Sequence, residues 1–269
     1  MDFFSFFNQA FTVEIQIFFV SFFALIFGSF ASLISHRAFT KEAIVFGRSK
    51  CLFCGTKLKI KNLVPLFSWI FQKGKCSNCF AKISLRYPLI ELSFLVSFLV
   101  IFFALKQEMS WKMIIYFGIA SNLIVMCIFD LERYFIPDLS QYFLTILATL
   151  LLLNQGGSYL VLENVKSGFA YLAFSLALFC FFYFVARIEA IGVDDIKFFF
   201  VAGFLLGLES FLAFTMLNGF LGILFGLIWQ KITKQNIFPF APAICASTFL
   251  CLIFDKKIDP VALLGNLIF

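Results

Sequence analysis

Residues 198–229 read FFFVAGFLLGLESFLAFTMLNGFLGILFGLIW, an apolar run broken only by Glu209 and Ser210. One helix of that length would far exceed the ~30 Å of a bilayer's hydrocarbon core at about 1.5 Å per residue. The run therefore reads as two helices joined at the polar pair. Its first half, 198–208, is short for a crossing, which predicts a helix that begins about a turn earlier. Working outward, apolar windows recur at 11–35, 89–105, 111–129, 139–153, 165–186 and 237–254. With the divided run they give about eight crossings. None shows the alternation of period two that a barrel strand carries, and a chain in lipid must satisfy its backbone by helices or a closed barrel. Composition agrees: 62% of the 269 residues are hydrophobic, 13% are charged, and the mean hydropathy is +1.00. Such a balance excludes a water-soluble globule and a disordered chain. Eight cysteines are too sparse for a disulfide scaffold. The expected fold is an all-α polytopic membrane protein.

The net charge of +6 reads as topology rather than as a nucleic-acid footprint. Eleven of the 21 basic residues fall between 36 and 88: Arg37, Lys41, Arg48, Lys50, Lys57, Lys59, Lys61, Lys73, Lys75, Lys82 and Arg86. Glu42 is the only acid there. The positive-inside rule makes this segment cytoplasmic and places the N-terminus outside. Alternation then puts the loops at 130–138, 187–197 and 230–236 inside and both termini outside. The first apolar stretch lacks a basic n-region and a small-residue cleavage site, so it reads as a retained helix. Three regions follow: an N-terminus with the first helix (1–35), a cytoplasmic insert (36–88) and a helical core (89–269). The insert's lysines read as a solvated face near anionic lipid headgroups.

Within the insert stand Cys51-Leu-Phe-Cys54 and Cys76-Ser-Asn-Cys79, with Gly55 just after the first pair and Gly74 just before the second. Two C-x-x-C knuckles at this spacing can close a tetrahedral zinc site with four thiolates. A polar segment of this size cannot build a core alone, so metal is the expected source of its fold.

Carboxylates are few, yet Asp130, Asp194 and Asp195 sit at the ends of apolar helices, where an ionisable group is a functional candidate by default. Asp138 follows Pro137 and reads mainly as an N-cap. For Asp130 an ion pair with Arg133 competes with catalysis. Asp130 and Asp195 together suggest aspartic-protease chemistry, in which two close carboxylates share a proton and one acts as base on water.

These features together resemble the type IV prepilin peptidases of the bacterial inner membrane, in order along nearly the whole chain. Gly28-Ser-Phe-Ala-Ser-Leu-Ile-Ser-His-Arg37 is similar to the family's first-helix signature, and Cys51 to Cys79 to its knuckles. Arg86-Tyr-Pro-Leu-Ile-Glu91 resembles the entry to its second helix. Asp130 to Asp138 is similar to the segment bearing its first catalytic aspartate. Gly192-Val-Asp-Asp-Ile-Lys197 resembles its Gly-x-Gly-Asp motif, and Phe238-Pro-Phe-Ala-Pro242 the Pro-rich opening of its last helix. Two departures stand out: Asp194 occupies the motif's second Gly, and Ser32 replaces an Asn. The resemblance implies Asp130 and Asp195 as catalytic residues, with Asp138, Lys197 and Asp194 in support. It also implies cytoplasmic cleavage of a basic leader from a prepilin or pseudopilin, then methylation of the new N-terminus with S-adenosylmethionine. No glycine-rich cofactor loop after a strand is present in the sequence, so the methyl transfer rests on the resemblance alone.

Two other classes compete with this reading. A proton-coupled transporter would place carboxylates near the bilayer midplane and repeat its two halves. A non-enzymatic scaffold with a zinc module has no use for two acidic motifs.

Overall fold

The computed structural model describes residues 3–40, 49–106, 109–187, 191–235 and 237–254. Lys41, Glu42, Arg48, Lys256, Lys257 and both chain ends, on which the charge reading of topology partly rests, lie outside them. Among the described residues every regular element is a helix, and no strand forms. Among the described residues five helices are long and apolar enough to cross a membrane, and Ala241–Phe254 is a shorter apolar one. The chain forms two compact units, 1–124 and 125–269.

In the first unit, α1 (Phe3–Ala10) precedes α2 (Val13–Thr40). Asn8 clasps the backbone of Met109 at 3.1 Å in both directions, its amide donating to the carbonyl and accepting the N–H. After the Cys-bearing segment, which carries the short α3 (Phe67–Phe71), comes α4 (Arg86–Ala104). Helices α2 and α4 run antiparallel. Gly28 lies against the backbone of Glu91, where a Cβ would stand 2.8 Å from the Glu91 Cα, and further along α2 Ser35 accepts a hydrogen bond from Arg86. Phe98 of α4 stacks on Phe117 of α5 (Trp111–Arg133) with 4.2 Å between ring centroids.

The second unit holds the end of α5, then α6 (Asp138–Phe181), α7 (Val193–Leu206), α8 (Phe211–Thr233) and α9 (Ala241–Phe254). Helix α6 is too long for one crossing, and its backbone leaves the helical region at Gly157 alone, with φ 66° and ψ −159°. Glycine reaches that conformation without the penalty a Cβ brings. The sequence suggests a break between 153 and 165, because Asn154, Gln155 and Glu163 end the apolar run. Those residues still form helix, so the break contracts to one residue. Packing against α7 shows that the two arms are antiparallel. The first arm brings Gln141 to the Asp194 carbonyl at the start of α7, at 3.4 Å. The second brings Asn164 to the Phe204 carbonyl near the end of α7 and lays Gly168 against Phe200.

The apolar run 198–229 divides as its length requires. Helix α7 begins at Val193, a turn before the run, and ends at Gly207, whose N–H reaches the Gly203 carbonyl at 3.0 Å; α8 begins after Ser210. At the crossing with α6, Gly203 lies on the ring of fully buried Tyr171, whose hydroxyl donates to the Gly207 carbonyl at 3.1 Å. A methyl group at 203 would sit 2.5 Å from that ring, which is wedged and cannot retreat. Gly203→Ala is therefore expected to cost about 1–3 kcal/mol by overpacking, read as a lower thermal unfolding midpoint in detergent.

Candidate active site and metal centre

Asp130 occupies the last turn of α5 and is buried, at 6% exposure. Its Oδ2 accepts the backbone N–H of Ala241, the first residue of α9, at 2.8 Å. A helix leaves its first N–H groups without internal partners, and a carboxylate there satisfies one and complements the helix dipole. Pro242 follows at a position where its missing N–H costs nothing. The Phe-Pro-Phe-Ala-Pro opening of α9 is thus the element that fixes the Asp130 carboxylate.

Asp195 lies in the first turn of α7, half-buried, and its Oδ2 accepts the N–H of Gly192, the residue that caps the helix, at 3.2 Å. A side chain at 192 would press on this carboxylate, since a Cβ there would stand 3.0 Å from Oδ2. Asp195 lies within electrostatic reach of Asp130. Buried Cys245 of α9 lies within reach of both acids.

Asp194 turns elsewhere. Its Oδ1 accepts from Lys197 Nζ at 3.1 Å, and the same ammonium donates to Asp138 Oδ1 at 2.9 Å. Both pairs are substantially exposed to solvent and hold the start of α6 beside the start of α7 with little net energy, about 0–1 kcal/mol each. Asp194 does not adopt a left-handed conformation, so the backbone at that motif position makes no demand for glycine. The N-cap expectation for Asp138 is corrected here. Pro137, extended at φ −63° and ψ 128°, holds the cap position without a side-chain bond. Asp138 is the first helical residue, one step too far along to fold back on the helix N–H groups, and its carboxylate is taken by Lys197.

The four knuckle cysteines converge as their spacing requires: their sulfurs all lie within 4.8 Å of one another, with Cys51 and Cys79 3.8 Å apart. Zinc–sulfur bonds of about 2.3 Å in a tetrahedron place sulfurs ~3.8 Å apart. Each knuckle is pinned by the same pattern. The Cys51 N–H donates to Thr56 and that of Cys76 to Ala81, while Gly55 and Phe80 return N–H bonds to Cys51 and Cys76. Gly55 and Phe80 are left-handed at φ 68° and 58°. Hydrogen bonds from Thr56 and then Asn78 lower the Cys54 thiol to about 6. An Ala81 N–H lowers Cys79, but desolvation and the neighbouring sulfurs outweigh it and leave that thiol at about 12. Sulfurs so crowded cannot all ionise without a cation between them. The donor set fits zinc, with Cys51, Cys54, Cys76 and Cys79 as its ligands.

S-adenosylmethionine finds no such fit. Among the described residues no strand precedes a glycine-rich turn, and no residue is assigned to that cofactor.

Two family models match this chain: the bacterial peptidase A24 N-terminal domain over residues 22–105 and the type IV leader peptidase family over 117–227. A prepilin leader peptidase/N-methyltransferase of Bacillus subtilis is 32% identical over 243 residues, covering 88% of this chain and 93% of the relative. The chain belongs to the type IV leader peptidase family. A second member of this family, the prepilin leader peptidase/N-methyltransferase of Vibrio cholerae, is 27% identical, with 87% of this chain and 95% of the relative covered. An Escherichia coli protein described as a type 4 prepilin-like proteins leader peptide-processing enzyme is 29% identical over 76% of this chain and 75% of its own length. No solved structure matches. For a type IV leader peptidase, the residues that sequence reasoning misses are those that hold the acids. Ala241 acts through a backbone N–H that no residue type announces, and its one signal is the neighbouring Pro242. Glu91 leaves pairing and function equally open in the sequence; in the structure its Oε2 accepts the N–H of Leu66 at 2.7 Å, tying α4 to the Cys-bearing insert.

Proposed function

We propose that the chain is a membrane aspartic peptidase that removes the leader of type IV prepilins or pseudopilins, with Asp130 and Asp195 as its catalytic pair. The observation that carries this reading is the separation of the acids into two sets. Asp130 and Asp195 stand at two helix ends within electrostatic reach of each other, each held by one backbone N–H, whereas Asp194, which both of them also feel, and Asp138 are paired with Lys197. Hydrolysis needs one carboxylate to take a proton from water and another to donate a hydrogen bond to the scissile carbonyl. Water oxygen bonds to the carbonyl carbon, the peptide C–N bond then breaks, and the captured proton passes to the leaving amine. Holding each acid by a single N–H leaves its second oxygen for this work.

Methylation of the new N-terminus belongs to the same proposal, on the names of the relatives, and S-adenosylmethionine would supply the methyl group. Eight crossings, with the arms of α6 counted separately and α7 and α9 as short members, agree with the distribution of Lys and Arg. That distribution supports an inner-membrane protein with its termini outside and its acid-bearing loops in the cytoplasm. The test is to incubate the purified protein in lipid discs with a leader-bearing pilin and S-adenosylmethionine and to weigh the product. Loss of the leader, with or without a methyl group, supports the peptidase; an uncut pilin rejects it.

A further inference from the structure

The segment 49–85 carries seven lysines, Lys50, Lys57, Lys59, Lys61, Lys73, Lys75 and Lys82, and no acid. Structural pairing crowds them further. Lys50 stands opposite Lys57 and Lys75 opposite Lys82, each pair bridging the base of one knuckle. Like charges directly opposite each other in paired backbone are destabilising, and an anionic surface beside them lowers that cost. Four thiolates on zinc lower the local charge without cancelling it.

The same segment shows large apolar side chains to solvent. Phe53 at the tip of the first knuckle is 76% exposed, Phe80 beyond the second 73%, Ile60 84% and Phe71 at the end of α3 82%. These are not spread over a large body. The sulfurs join the two knuckles within 4.8 Å, the Asn62 amide bonds Ser77 at 3.0 Å, and Trp69 of α3 packs on Gly74 just before Cys76. Large exposed apolar side chains gathered on so small a segment mark an interaction surface, and lysines among aromatics are the composition of an interfacial anchor. The segment runs into α4, which is long and apolar enough to cross a membrane, and Arg86 at the head of α4 bonds Ser35 of α2, another such helix. Its C-terminal end is thereby fixed at the start of an apolar helix, where a membrane surface would lie.

We propose that the four-cysteine insert lies on the membrane surface, with Phe53, Ile60, Phe71 and Phe80 seated among the acyl chains of anionic lipid and the lysines on its headgroup phosphates. Zinc has a second role on this view, since it fixes Phe53 and Phe80 on one small platform. The proposal is independent of the carboxylate chemistry.

The full chain carrying Phe53→Trp or Phe71→Trp is placed in lipid discs whose acyl chains are brominated. Phosphatidylcholine alone is compared with phosphatidylcholine containing about 30% phosphatidylglycerol, since each lysine near an anionic surface strengthens attachment by about fivefold. Emission added over the parent protein should be quenched by bromine in the anionic discs. Quenching should fall in the zwitterionic discs, at about 0.5 M salt, and in a Lys57→Glu, Lys59→Glu, Lys61→Glu variant that retains its zinc. Equal quenching in all of these would overturn the charge requirement. No quenching, with the tryptophan open to aqueous iodide, would overturn the proposal and leave an acidic protein as the partner. Leader cleavage measured on the same discs keeps this outcome separate from any failure of the peptidase reading.

Discussion

Asp130→Asn is expected to give a folded, membrane-inserted protein whose leader cleavage falls by about 10²–10⁴-fold or more. Asparagine keeps the volume of the buried side chain, and its amide oxygen still accepts the Ala241 N–H that now binds Oδ2 at 2.8 Å. The start of α9 therefore stays in place. What is lost is the capacity to exchange a proton with water or to share one with Asp195. Because the interaction is needed in the transition state, kcat should fall while KM for the pilin changes little. A parallel loss of unfolding temperature would indicate that Asp130 serves only to cap α9, and cleavage retained at the parent rate would remove it from the catalytic pair.

Cys76→Ser is expected to abolish the metal site. The parent should carry about one zinc per chain, bound with an apparent energy on the order of 10–16 kcal/mol for a structural site at neutral pH. Serine is a poor zinc ligand, and at 4% exposure it cannot exchange the lost bond for one to water. The segment 49–85, having no apolar interior to fall back on, should become sensitive to protease. The helices beyond it should persist, because their stability rests on their own packing. Zinc affinity should also fall as pH falls, since protons compete for up to four thiolates. Elemental analysis and limited proteolysis read both effects, and full zinc content in Cys76→Ser would show that the metal sits elsewhere.

How far the sequence foretells this arrangement depends on what kind of signal each feature leaves. Apolar run length is a strong one, and the division of 198–229 into α7 and α8 follows from the bilayer's thickness. Paired C-x-x-C knuckles are another, because few arrangements other than a metal site use them. The single-residue break at Gly157 is blurred by helix-forming polar neighbours on both sides. Asp138 reads as a cap because Pro-Asp is a common helix start; its capture by Lys197 depends on α6 and α7 meeting, which no local pattern reveals. The N–H groups of Ala241 and Gly192 that hold the two acids are invisible for a plainer reason, since every residue but proline has one.

The central claim is that the second acid of the pair is Asp195 and not its neighbour. Asp194→Asn and Asp195→Asn, prepared in parallel and given the same leader-bearing pilin, test it most directly by the mass of the product. Asp194→Asn loses one exposed ion pair with Lys197, which still has Asp138, and is predicted to release most of the leader. Asp195→Asn is predicted to leave the pilin at its full mass. The reverse pattern, an active Asp195→Asn and an inactive Asp194→Asn, would contradict the account.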